Sequence, residues 1–139
     1  MESSKPVRIL VVANRTAATP TLLKEISDRA ARGPTRFSLL IPAAEAESTD
    51  WTLDLALPLM EKAAGGRVEG RVGGSDPLKA IREEMRANEY DEIILSTLPR
   101  RTSQWLRRDL PSQVQKLGLP LTVVTAPSRT TAEKLGRPV

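Results

Sequence analysis

Residues 7–13, Val7-Arg8-Ile9-Leu10-Val11-Val12-Ala13 (VRILVVA), decide the fold. Arg8 is the only charge in the run, and everything else is β-branched, Leu or Ala. Such a run suits a strand covered on both faces, and cover on both faces is the mark of a parallel sheet. The run is therefore the candidate central strand.

Downstream of it, Thr19-Pro20 opens a helix. Thr19 can cap the free N–H groups, and Pro20 fits the first helical position. Leu22, Leu23, Ile26 and Ala30 recur at helical spacing, and Gly33-Pro34 closes the segment. Residues 36–41 (RFSLLI) give a second strand, stopped by Pro42. After a polar loop, a helix over 51–64 turns Leu53, Leu57, Met60 and Ala64 inward. Pro58 is expected to kink or split that helix, because it lacks an N–H and crowds the preceding turn. Gly65-Gly66 ends it.

Residues 67–72 (RVEGRV) alternate Val with charge, as a half-exposed edge strand does, and Gly73-Gly74-Ser75 follows as a turn. Asp76-Pro77 starts a third helix, with Leu78, Ile81 and Met85 as its buried stripe. Residues 92–96 (EIILS) give a fourth strand. A short helix near 103–109 carries Trp105 and Leu106, a second runs from Pro111 to Leu117, and 119–125 (LPLTVVT) is the last strand. Strict alternation of strand and helix predicts an α/β three-layer sandwich with a five-stranded parallel sheet and right-handed crossovers. Residues 1–126 form this single domain, and 127–139 read as a flexible C-terminal tail.

Composition narrows the chemistry. The 139 residues include no Cys and no His. Disulfides, thiolate chemistry, the usual general base and the usual metal ligand are thereby absent, and no metal site is expected. Aromatics are limited to Phe37, Trp51, Tyr90 and Trp105, so the core must be aliphatic. The apolar run 9–13 is too short for a membrane span or a signal-peptide core, which predicts a cytoplasmic protein with no membrane partner. The net charge of +4 is spread along the chain. Nucleic-acid binders carry a denser basic stripe with stacking aromatics, so nucleic acid is not the expected partner.

In open parallel sheets ligands bind beyond the carboxyl ends of the strands, where the winding reverses. With the first and fourth strands adjacent, the loops facing that crevice hold Asn14, Arg15 and Thr16 on one side and Ser96, Thr97, Arg100 and Arg101 on the other. They offer an amide, hydroxyls and guanidiniums, a donor set for phosphate or carboxylate. The plain alternative is that the arginines are solvated loop charges and the hydroxyls are caps. Arg107 and Arg108 read as surface charge, and Trp105 as packing. No phosphate-binding glycine motif follows a strand. The serines have no base, so no catalytic residue is assigned. Glu83-Glu84 and Asp91-Glu92, neighbours in sequence, are expected to be surface charge.

Residues 7–125 resemble the universal stress protein superfamily. The matching strings are ILVVAN after a short leader, GGSDPLKAI opening the third helix, DEIILST as the fourth strand and LPLTVV as the last. The resemblance implies a flavodoxin-like (Rossmann-like) sheet in the order 3-2-1-4-5 and a homodimer through the last strand. In one branch it also implies ATP, held by an Asp after the first strand, a G-x-x-G loop after the fourth and a following Gly-Ser or Gly-Thr pair. Here those positions read Asn14, then Ser96-Thr97-Leu98-Pro99, then Thr102-Ser103. Pro99 has no N–H to give a phosphate, and side chains at 96 and 99 block close backbone approach. ATP in the family manner is therefore not expected.

The expected function is a non-catalytic regulatory or protective stress-response domain, acting through homodimerisation, partner contacts or a small anionic ligand. The alternative is a nucleotide (ATP or AMP) bound by Asn14, Thr16, Ser96, Thr97 and Arg100. Further off stands a metal-assisted nucleotide or phosphate-ester hydrolase.

Overall fold

The computed structural model describes residues 6–13, 17, 19–42, 49–74, 76–97, 104–107 and 109–125. The VRILVV run forms β1 (Val7–Val12), in which Leu10, Val11 and Val12 are fully buried. It lies between β2 (Thr35–Pro42) and β4 (Glu92–Thr97), parallel to both, with Val11 opposite Leu39 on one side and Ile94 on the other. β3 (Glu69–Gly73) extends the sheet beyond β2, and β5 (Leu121–Thr125) extends it beyond β4. The order is β3-β2-β1-β4-β5, as expected.

Alternation along the strands loads both faces with aliphatic side chains. On one face Ile9, Val11, Leu39, Ile41 and Ile94 pack with Leu22 and Ile26 of α1 (Pro20–Arg32) and with Ala56 and Met60 of α2 (Thr49–Ala64). On the other, Leu10, Val12, Leu40, Ile93 and Leu95 pack with Ala80 and Ile81 of α3 (Pro77–Ala87). Trp105 of α4 (Gln104–Arg107) and Leu110 and Val114 of α5 (Leu110–Gln115) complete that face. Each fully buried Ile or Leu contributes about 1.5–3 kcal/mol relative to exposure, so the core is mainly aliphatic, with Phe37 the one fully buried aromatic among the described residues. Thr19 caps α1 and Asp76 caps α3, each followed by Pro.

Several expectations need correction. β3 starts at Glu69, two residues late, because the chain before it finishes α2. Gly65 and Gly66 donate to the Glu61 carbonyl, and the Glu61 carboxylate accepts the Val68 N–H at 3.1 Å. α2 is not split: Pro58 sits inside one continuous helix. Pro58 and Asp54, whose carbonyl loses its intrahelical donor at Pro58, are both exposed, so the gap in the helix ladder lies on the solvent side. Pro42 closes β2 from within rather than stopping the chain before it. Gly73 is the last residue of β3, not a turn residue. A Cβ there would lie 2.9 Å from the Ala80 Cβ and 3.2 Å from the Leu40 Cδ1, so glycine is what lets α3 lie this close to the strand.

Glu84 is buried rather than exposed, because polar partners surround its carboxylate. Leu78 and Met85 only edge the core that Ala80 and Ile81 enter. β4 runs one residue further than expected, to Thr97, and β5 begins two later, at Leu121. α5 runs Leu110–Gln115, starting one residue before and ending two residues before the helix expected there. Residues 127–139 lie outside the described residues.

Candidate functional site

Adjacent parallel strands that send the chain to opposite faces leave a crevice between their exits. β1 and β4 are such a pair: β1 leads to α1 on one face, while β4 leads to α4 and α5 on the other. Val12 stands opposite Leu95 near the carboxyl end of both. The exit of β1 is fixed by the Ala13 N–H, which donates to the Leu40 carbonyl at 3.2 Å, and by fully buried Ala17. α1 then starts at the Thr19 hydroxyl, which accepts the Leu22 N–H.

Of the residues expected at the crevice, Ser96 and Thr97 end β4 and are each 1% exposed. Successive strand residues point to opposite faces, so their hydroxyls diverge. Ser96 is in register with Val124 and Thr97 with Thr125. The Thr97 hydroxyl donates to that of Thr125 at 3.3 Å. These two residues therefore form the packed end of β4, and neither stands out as a projecting ligand arm. Asn14, Arg15, Thr16, Arg100 and Arg101 lie outside the described residues, as do Pro99, Thr102, Ser103 and Arg108. Thr125 was not foreseen, because only the β4–β5 register brings it to Thr97.

Asp91 and Glu84 are engaged away from the crevice. Asp91 is held below the usual carboxylate range, first by the backbone N–H of Arg8 and then by its guanidinium. Burial and the bond to Glu84 push the Tyr90 phenol up to about 12. Among the described residues no group of three or more Asp or Glu is placed to hold a metal ion. Nor is any described helix long and apolar enough to cross a membrane.

At the opposite, amino end of the strands the described residues enclose a cleft of about 470 Å³, with Arg8, Arg36 and Arg67 on its wall. Sequence reading missed it, since Arg8 and Arg36 meet only through the β1–β2 register.

No family model matches the sequence, and no curated protein matches it. Solved structures do. A universal stress protein crystallised in complex with cAMP superposes with a TM-score of 0.66, covering 89% of this chain and 100% of its own at 16% identity. The Mycobacterium tuberculosis protein Rv1636 superposes with a TM-score of 0.51, covering 90% of this chain and 100% of its own at 14% identity. With its parallel sheet in the order 3-2-1-4-5 and helices on both faces, the chain has the flavodoxin-like fold of the universal stress proteins.

Proposed function

We propose that the chain is a universal-stress-protein-like regulatory domain, non-catalytic, that takes a mononucleotide or another small phosphate-bearing anion where β1 and β4 end. The observation that carries this reading is the parallel pairing of Val11 with Ile94, which sets the two strand exits side by side. The complex of a similarly folded protein with cAMP supports a nucleotide as the ligand class. Asn14, Arg15, Thr16, Arg100 and Arg101, next in sequence to those exits, would supply the donors, and Ser96 and Thr97 the packed base. Pro99 has no N–H to offer at a position where a glycine loop would have one, which favours side-chain capture of phosphate.

The test is a thermal-shift and calorimetric titration with cAMP, AMP, ATP and inorganic phosphate. Binding to the folded state must raise Tm, by about 2.7 kcal/mol of stability at a hundredfold excess over Kd. A rise with a nucleotide, lost in the Thr16→Ala, Arg100→Gln double variant, is the expected result. No shift with any nucleotide at millimolar concentration would end the proposal.

A homodimer through β5 is the accompanying reading, and one observation favours it. β5 is an edge strand whose Val123 is 40% exposed. An open edge with an apolar side chain pairs readily with another copy. Val123→Lys should convert a dimer to a monomer in light scattering. A wild-type monomer at all concentrations tested would remove this reading.

A further inference from the structure

The cleft at the amino end of the sheet has an unusual charge balance. Arg8 and Arg36 stand opposite each other in adjacent strands, so two guanidinium stems leave the same face side by side. Like charges so placed repel. Arg8 is neutralised twice: its Nη1 lies 2.9 Å from Glu89 and its Nε 3.4 Å from Asp91. The other cleft acid, Glu69, lies 3.6 Å from Arg71. The neutral donors are spent as well. The Ser38 hydroxyl serves Tyr90, and both the Tyr90 hydroxyl and the Asn88 amide donate to Glu84. What remains on the wall is Arg36, on β2, and Arg67, just before β3; both are exposed and neither forms an ion pair with a described acid.

We propose that this cleft is a second ligand site, at the opposite end of the sheet from the β1–β4 crevice, for a small phosphate-bearing anion of two or more negative charges. Its volume, about 470 Å³, falls in the range of small-molecule sites. Arg36 and Arg67 supply forked N–H donors, the geometry that phosphate oxygens accept two at a time. The acids that could compete for Arg36 and Arg67 already hold other cations, so the ligand displaces no described ion pair.

The experiment uses the full chain and inorganic pyrophosphate, followed by isothermal calorimetry and by amide shifts in two-dimensional NMR. The expected result is saturable shifts at Arg36, Arg67, Ser38 and Asn88. Charge-assisted contacts of this kind make the Arg36→Gln, Arg67→Gln variant weaker by about tenfold or more. In the Thr16→Ala, Arg100→Gln variant, substituted next to the β1 and β4 exits, the pyrophosphate-dependent shifts at Arg36 and Arg67 should persist, whatever that variant loses at the β1–β4 crevice. The NMR map needs no variant and so does not depend on how the substituted chain folds. Shifts confined to the β1–β4 end, or affinity untouched by losing both arginines, would overturn the proposal while leaving the β1–β4 reading standing.

Discussion

The carboxylate of Glu84, on the buried face of α3, accepts the hydroxyl of Tyr90, the chain's only tyrosine. Asn88 Nδ2 donates to the same oxygen at 3.0 Å, and Arg71 Nε lies 3.7 Å away. The carboxylate thus ties the end of α3 to the β3 edge and to the segment entering β4. A buried carboxylate is tolerable only with such partners.

Tyr90→Phe keeps the ring and deletes one donor to Glu84. It should cost about 1–3 kcal/mol, because a buried acceptor loses a partner, and urea unfolding measures it. A midpoint within error of wild type would show that the bond contributes nothing net.

The same contact sets an alkaline limit. The folded phenol titrates at about 12, with burial the larger cause and Glu84 the next. An unfolded tyrosine titrates near 10. The folded value is the higher, so the protonated phenol stabilises the fold. That contribution is whole below about pH 10 and is lost as pH rises toward the folded value. Near-ultraviolet tyrosinate absorbance should therefore appear late in the native protein and at the ordinary pH in urea. Coincident titrations in the two states would contradict the placement of Tyr90.

Arg29, near the end of α1, gathers three partners: Glu25 at 3.0 Å, the Thr122 hydroxyl at 2.7 Å and Glu92 at the start of β4. Its side chain is 14% exposed and that of Glu92 29%, so the pair is shielded more than a surface bridge. Arg29→Met should destabilise by about 1–3 kcal/mol, with a fall of several degrees in Tm. Arg29→Lys should recover little, since one ammonium cannot reproduce a fork spanning α1, β4 and β5. Full recovery with Lys would reduce the contact to simple charge.

Local signals explain what was legible beforehand. The uninterrupted apolar run of β1 and the Thr19-Pro20 and Asp76-Pro77 starts each act within a few residues, so the sheet and two helices could be read directly. The run 92–96 reads as β4 for the same reason, whereas Thr97, expected in the loop, ends the strand. Long-range pairing was not legible. Glu84 lies on the buried stripe with Ile81, but a carboxylate there makes sense only once Tyr90 and Asn88 fold back on it. Thr125 joins Thr97, and Arg36 joins Arg8, by strand register, which no local pattern announces.

Acid should loosen the other end of β4. Asp91 accepts the Arg8 backbone N–H at 2.9 Å and pairs with its guanidinium, both of which hold its proton affinity down. A depressed carboxylate adds stability above its unfolded value, near 3.9, and that stability fades as pH falls through the lower folded value. Asp91→Asn should flatten the acid side of the stability profile between about pH 2 and 5, measured by urea midpoints. An unchanged acid slope would mean that the pairing is absent in solution.

Gly73→Ala tests how α3 meets the sheet. The added methyl would meet the Ala80 Cβ at 2.9 Å, and because backbone strain does not arise at this position, the penalty is steric. Forcing α3 outward should cost about 1–3 kcal/mol. Ala80→Gly alone should cost about 1 kcal/mol through helix propensity, yet it removes the atom that the new methyl would strike. The double variant should therefore be more stable than the sum of the two losses predicts, with a coupling of roughly 0.5–3 kcal/mol. Strict additivity would mean that β3 yields instead of α3, and that Gly73 does not set the spacing between them.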